Sequence, residues 1–122
     1  MRLLLDTHAL IWWDNDELPE EVVRRIQRAD EVFVSAASAW EIAIKSDLGK
    51  IKTRVSIGDV IDDYGFSELP ILAKHADALK RLPRHHRDPF DRILICQALV
   101  EELVLVSTDR AFRKYDVPVV WK

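Results

Sequence analysis

Short apolar runs alternate with longer amphipathic segments along the whole chain. Continuous apolar runs, such as RLLLD at 2–6 and LVLVST at 103–108, are typical of strands buried on both faces of a sheet. The segments between such runs carry apolar residues at helical spacing. Alternation of this kind predicts an α/β fold, in which helices cover both faces of a mostly parallel sheet.

The pattern predicts five strands and seven helices. The strands are predicted at 2–6, 31–35, 67–71, 103–108 and 117–121. The helices are predicted in ALIWWD, at 18–30, at 36–48, near 56–65 after a turn, at 72–82, at 88–103 and in DRAFRKY. Helix 18–30 has Pro19 and acids at its start, and Gly49 ends the next helix. We expect one domain, 1–122, because this length supports a single core.

Composition and charge exclude some classes of protein. The net charge of −3 shows no overall basic excess, although a nuclease needs only a local basic patch. The single cysteine, Cys96, excludes an intramolecular disulfide and suits a reducing compartment. No apolar run approaches the roughly 20 residues that span a bilayer, and the start MRLLLDTHAL does not have the pattern of a signal peptide. We therefore expect a cytoplasmic protein with no membrane partner.

Four acidic residues stand where this fold would bring them together. Asp6 and Asp109 each follow an apolar strand, and the carboxyl ends of parallel strands meet at one edge of a sheet. Glu41 and Asp91 lie on the apolar faces of predicted helices, where an unpaired charge is costly. Structural alternatives stay open, because Asp6 and Asp109 could be turn or cap residues and Glu41 could pair with Lys45.

Asp88 and Asp91 open the helix predicted at 88–103. Asp88 followed by Pro89 is an N-cap followed by proline at the first helical position, and this structural role is sufficient for Asp88. Asp91 falls at the third helical position, where a capping box prefers the longer Glu or Gln. Capping does not require Asp91 to face inward, which favours a functional role.

Converging carboxylates repel one another, and a divalent cation removes that penalty. Oxygen ligands without Cys or clustered His favour Mg²⁺ or Mn²⁺ over Zn²⁺. Such a site suits phosphodiester cleavage, because the metal activates water and stabilises the leaving oxygen. The neighbouring His85 and His86 are predicted to lie in a solvated loop. Candidate phosphate contacts, with surface charge as the alternative, are Arg87, Arg92 and Arg110.

Three segments of the chain resemble the PIN-domain family, and more narrowly the VapC-type toxins of prokaryotic toxin–antitoxin pairs. They are LLLDTHALIWW, SAASAWEIAIKSDLGKIK and HRDPFDRILICQALVEELVLVSTDRAFRKY. The resemblance covers nearly the whole chain and is weakest over about 52–70. It implies a three-layer α/β/α fold with a mostly parallel sheet. It also implies a Mg²⁺- or Mn²⁺-dependent endoribonuclease, a cognate antitoxin protein and a homodimer.

The resemblance assigns roles to particular residues. The family's catalytic and metal-binding acids fall on Asp6, Glu41, Asp91 and Asp109. Asp88 matches an additional acid that supports the site through water or a second metal. Thr7 and Thr108 match supporting hydroxyls beside the first and fourth acids.

The same residues allow other interpretations. A haloacid-dehalogenase-type phosphatase needs a second Asp two residues after the first, and here that position is His8. A phosphate-receiver domain needs an acid pair at the first strand, which has only Asp6. A catalytically silent PIN-like module that binds RNA or a partner stays open as the alternative. DNA also stays open as a substrate, because nothing in the sequence reads a 2′-OH.

Overall fold

The computed structural model describes residues 1–51 and 56–122. Five strands form one sheet in the order β3-β2-β1-β4-β5, and every neighbouring pair is parallel. The strands are β1 (Arg2–Leu5), β2 (Glu31–Ser35), β3 (Ser67–Leu69), β4 (Val104–Val106) and β5 (Val119–Val120). The strand order reverses between β1 and β4, so the crevice beyond the carboxyl ends of these two strands is the expected ligand site.

Helices connect the strands in the predicted places. They are α1 (Thr7–Asp14), α2 (Glu20–Arg28), α3 (Ala36–Asp47), α4 (Ile57–Tyr64), α5 (Ala73–Ala78) and α6 (Pro89–Glu101). Two 3₁₀ helices follow α5 and β4, namely η1 (Leu79–Arg81) and η2 (Arg110–Lys114). Among the helices in the described ranges, none combines the length and the hydropathy that crossing a bilayer requires.

The predicted elements are confirmed, and their ends differ for local reasons. The strand predicted at 67–71 stops at Leu69, because Pro70 has no N–H to donate to a neighbouring strand. The helix predicted in ALIWWD begins earlier, at Thr7, because the Asp6 side chain caps it. The helix predicted at 72–82 continues past Ala78 only as a 3₁₀ turn. The turn predicted before 56–65 falls mainly on 52–55, outside the described residues.

The core lies in two layers on opposite faces of the sheet. Leu4 of β1 points to one face, where α6 and η2 pack around Leu94, Ile95 and Phe112. Its neighbours in β1 point to the other face, where they contact side chains of α1, α2 and α4. The predicted α/β fold with a parallel sheet between helical layers is therefore confirmed.

Candidate metal centre

Asp6 lies directly beyond the carboxyl end of β1 and begins α1. Its Oδ1 accepts a hydrogen bond of 2.7 Å from the Ala9 backbone N–H, so the cap role suggested by the sequence is present. The residue is only 4 % exposed. Burial raises the pKa of Asp6 above its ordinary value, and the hydrogen bonds from Ser107 and Ala9 oppose this only in part. A cap does not require that degree of burial, and the negative charge of Asp109 raises the pKa further.

Asp109 lies beyond the adjacent strand, β4, and caps η2. Its Oδ1 accepts a hydrogen bond of 2.9 Å from the Ala111 backbone N–H, and its Oδ2 lies 3.0 Å from His86 Nε2. Burial raises the pKa of Asp109, but the hydrogen bonds from Ala111 and His86 outweigh it, so the pKa lies below the ordinary value. Asp109 therefore stays ionised more readily than Asp6 or Asp91, whose pKa values are raised.

Glu41 projects from α3 toward the same edge and is 3 % exposed. Its Oε1 accepts a hydrogen bond of 2.7 Å from the Thr7 hydroxyl, which places Thr7 as a support of Glu41. Its Oε2 accepts a hydrogen bond of 2.5 Å from Lys45 Nζ. The pair with Lys45 that the sequence left open is thus present, but on a buried carboxylate rather than on a solvated helix face.

Lys45 lies close to the acids, whereas the sequence pattern indicated only that it could pair with Glu41 along the helix. The hydrogen bond that it donates to Glu41 raises the pKa of Lys45, and the charges of Asp88 and Asp91 raise it further. Its ammonium group is therefore in the field of three acids. The sequence feature that could have indicated this role is the position of Lys45, four residues after Glu41 on the helix face that points to the other acids.

Asp88 and Asp91 begin α6. Asp88 Oδ1 accepts hydrogen bonds from the backbone N–H groups of Phe90 and Asp91, at 2.8 and 3.1 Å, which confirms the predicted N-cap. Burial raises the pKa of Asp91 to about 7, and the charges of Asp88, Glu41 and Asp6 add to this effect, while His86 opposes it. The pKa of Asp91 is thus raised by acids from the end of β1 and from the middle of α3 as well as from its own helix.

His86 is held firmly, so the expectation of a solvated loop is wrong for this residue. Its Nε2 lies 3.1 Å from Asp91 Oδ2 and 3.0 Å from Asp109 Oδ2. Its Nδ1 accepts a hydrogen bond of 3.2 Å from the Asp88 backbone N–H, and its own backbone N–H donates to the Tyr115 hydroxyl at 2.8 Å. Because Nδ1 is an acceptor, Nε2 carries the proton and donates to the two carboxylates. His86 therefore links Asp91 to Asp109.

The remaining predicted residues have less direct contacts. Arg92 donates hydrogen bonds to the backbone carbonyls of Pro83, at 2.9 Å, and Leu82, at 3.4 Å, which fixes the segment before α6. Arg87, Thr108 and Arg110 are exposed to solvent. Each of these three residues is next to Asp88 or Asp109 in the sequence.

The donor set fits a hard divalent cation. Carboxylate oxygens of Asp91 and Asp109 lie with His86 Nε2 inside a group whose atoms are within 4.8 Å of one another. Oxygen-rich sites select Mg²⁺ or Mn²⁺. Burial, together with the charges of neighbouring acids, raises the pKa of Asp91 to about 7, and a bound cation would offset both effects. His86 fits the site as a hydrogen-bond donor to the ligands rather than as a ligand, since its proton is on Nε2.

The arrangement at this edge can be set beside known proteins. The family model described as the PIN domain matches residues 3–118. The chain belongs to the PIN-domain family. The predicted PIN-domain resemblance is thereby confirmed, and with it the fold. No curated protein matches the sequence of this PIN domain.

Solved structures show the same fold over the whole PIN domain. A chain of VapBC2 from Rickettsia felis, bound to a DNA fragment from its promoter, aligns with a TM-score of 0.76 at 15 % identity, covering 100 % of both chains. DNA-bound VapBC from Salmonella typhimurium aligns with a TM-score of 0.72 at 14 % identity, covering 98 % of this chain and 97 % of that one. VapBC-1 from nontypeable Haemophilus influenzae gives 0.68 at 22 % identity, with the same coverage.

Proposed function

We propose that this PIN domain is a metal-dependent endoribonuclease and the toxin of a VapBC-type toxin–antitoxin pair. One observation carries the nuclease proposal: two buried acids, Asp6 and Glu41, lie close enough to the half-buried Asp91, on a third element, for their charges to raise its pKa. Such an arrangement destabilises the free protein and is explained by a cation that binds there.

In this proposal the four acids hold Mg²⁺ or Mn²⁺. When bound, such an ion supplies a Lewis acid that polarises a phosphoryl oxygen and acidifies water. Asp91 must lose its proton before it can bind a cation, so metal affinity falls below pH about 7. Asp88 fixes the backbone of Asp91 through its N-cap, which suits its role as an additional, supporting acid.

Other side chains fix the orientation of these carboxylates. Thr7 and Lys45 each bind one oxygen of Glu41, and His86 binds Asp91 and Asp109. Groups that hold metal ligands in place typically change affinity or activity by about 10- to 100-fold when removed. We assign the three residues this positioning role.

RNA as the substrate and a protein antitoxin as the partner rest on the family resemblance. The structures that share the fold are VapBC complexes, which supports an antitoxin, and a homodimer is proposed on the same resemblance. Arg87 and Arg110 are exposed and supply positive charge near the acids for phosphate groups, with Thr108 beside them. Arg92 contributes by holding the segment before α6.

The test is cleavage of a mixed pool of structured RNAs by the purified protein. We expect cuts with Mg²⁺ or Mn²⁺, none with EDTA, and none with the Asp91→Asn variant. A folded protein that binds Mn²⁺ and RNA but cuts no RNA would contradict the nuclease proposal. The alternative, a catalytically silent RNA- or partner-binding module, would then be favoured, since Lys45 already neutralises Glu41 without a metal.

A further inference from the structure

A cavity of about 570 Å³ lies between η1, α6 and η2. Its apolar wall comes from Leu82, Cys96, Leu99 and Val100, and its basic side chains are Arg81, His85 and Lys114. One acid, Asp116, also lines it. Apolar side chains together with cations are the chemistry that accepts a nucleobase and its phosphate.

The cavity and the acidic site share a wall. His85 lines the cavity, while the next residue, His86, contacts Asp91 and Asp109. The His85 ring lies edge-on to Tyr115, with 5.1 Å between centroids, and the Tyr115 hydroxyl accepts the His86 backbone N–H. His85 therefore lines the cavity, and His86 contacts the acids on the other side of the same segment. The buried Tyr115 holds the exposed His85 ring in place.

Helix α6 links the cavity to the acids. Cys96 lines the cavity five residues after Asp91, which is about 7.5 Å along the helix axis and about 140° around it. A strand with its phosphate at the acids would therefore reach the cavity across the segment that contains His85 and His86, not along one face of α6.

Positive charge is concentrated around this route although the chain as a whole carries −3. The segments 80–92 and 110–114 contain eight of its 18 Lys and Arg residues, five in the first and three in the second, against two acids. Local basic charge of this kind attracts a phosphate backbone.

We propose that this cavity is a binding subsite for a nucleotide of single-stranded RNA that flanks the cleaved phosphate. The base stacks on His85 against the apolar wall, and Arg81 and Lys114 bind the phosphate. The subsite extends the proposed ribonuclease function and rests on it for the direction of the strand. A duplex cannot offer an unpaired base to the cavity, so the substrate class is single-stranded RNA.

The chain provides a matched control. A second cavity, of about 430 Å³, is lined by Arg24, Arg25 and Arg28 together with Met1 and Glu21. Met1 precedes β1, so this cavity lies at the opposite edge of the sheet from the acids. It has comparable positive charge in a place that a strand bound at the acids does not reach.

The experiment measures binding of a labelled single-stranded 8-mer RNA by fluorescence anisotropy in EDTA, where cleavage does not occur. We expect the double variant Arg81→Ala/Lys114→Ala to bind at least about tenfold more weakly and to lose roughly one to two units of salt slope. We expect His85→Ala to bind about tenfold more weakly at low and high salt alike, because stacking is not screened. The control Arg25→Ala/Arg28→Ala should bind like the wild type, and duplex RNA should not distinguish the variants.

Equal affinity of the cavity variants and the wild type would overturn the subsite, as would an equal loss in the control. Cleavage assays with Mn²⁺ separate this result from failure of the proposed function. If the wild type cleaves RNA, the subsite predicts a raised KM with an unchanged kcat for the cavity variants, and an unchanged KM overturns it alone. If the wild type cuts nothing but the binding differences persist, the cavity binds single-stranded RNA and the ribonuclease proposal alone fails.

Discussion

The two edges of the sheet both carry ion pairs, but in opposite environments. Near the amino edge, Arg2 lies 3.8 Å from Glu31 and Arg24 lies 2.8 Å from Glu20, with all four side chains about half exposed or more. Exposed pairs of this kind contribute about 0–1 kcal/mol each. At the carboxyl edge, Glu41 and Asp6 are almost completely buried. The same residue types therefore have small effects on stability at the exposed amino edge and large effects at the buried carboxyl edge.

The carboxyl edge is also unbalanced in charge. Lys45 and His86 are the basic groups in contact with its acids in the described part of the chain, and the acids outnumber them. The set comprises Asp6, Glu41, Asp88, Asp91 and Asp109. The acids of the carboxyl edge are unbalanced, whereas the charges of the amino edge are paired. This difference supports the proposed binding of a cation at the carboxyl edge.

Removing one acid from each edge should give the largest contrast. Asp6→Asn or Asp91→Asn should reduce RNA cleavage by about 10³-fold, the upper range for loss of one group that stabilises a transition state. Asp30→Asn should cleave like the wild type, because Asp30 is exposed and its carboxylate pairs with the amino terminus, away from the acids. An active, well-folded Asp6→Asn protein would remove Asp6 from the site.

Between pH 5 and 8, the pH dependence of stability should come mainly from Asp91, because the pKa of Asp30 at the amino edge is lowered and lies below this range. Its folded pKa, about 7, lies above the unfolded value near 3.9, so its contribution to stability is fully present below pH about 4 and is lost as pH rises through 7. In EDTA, the free energy of unfolding of the wild type relative to Asp91→Asn should therefore fall by about 3 kcal/mol between pH 5 and 8. Urea unfolding of both proteins measures this, and a constant difference would contradict the raised pKa.

Two pairs with the same i,i+4 spacing should differ in strength. Lys45→Ala leaves the buried Glu41 without its cation and should destabilise the metal-free protein by about 2 kcal/mol. Arg24→Ala breaks an exposed pair and should cost about 0.5 kcal/mol. Thermal unfolding with and without Mn²⁺ tests this, and Mn²⁺ should recover much of the loss for Lys45→Ala alone. Equal losses would show that Glu41 is not a costly buried charge.

The positions of the strands and of the first acids followed from the sequence, because both depend on local pattern. A short continuous apolar run is a buried strand, and Asp6 and Asp109 follow such runs, so their convergence at one edge is a consequence of parallel pairing. The helix cap at Asp88 was equally local, since Asp followed by Pro has one favoured use.

The role of His86 could not be obtained in this way. His86 is fixed by Tyr115, which is 29 residues further along the chain, and by Asp109, 23 residues further. No periodicity encodes such contacts, because they depend on how η2 packs against the segment before α6. The cavity with basic side chains was not predicted for the same reason, since its lining residues come from three separate segments of the chain.

Calorimetric titration of the metal-free protein with Mn²⁺ tests the central claim most directly. At pH 8 we expect the wild type and Asp30→Asn to bind Mn²⁺ with the same affinity and Asp91→Asn to bind at least about tenfold more weakly. At pH 6 the affinity of the wild type should fall by about tenfold, because Asp91 must then lose a proton. Equal binding by the wild type and Asp91→Asn, or none by either, would contradict a cation site at the carboxyl edge of the sheet.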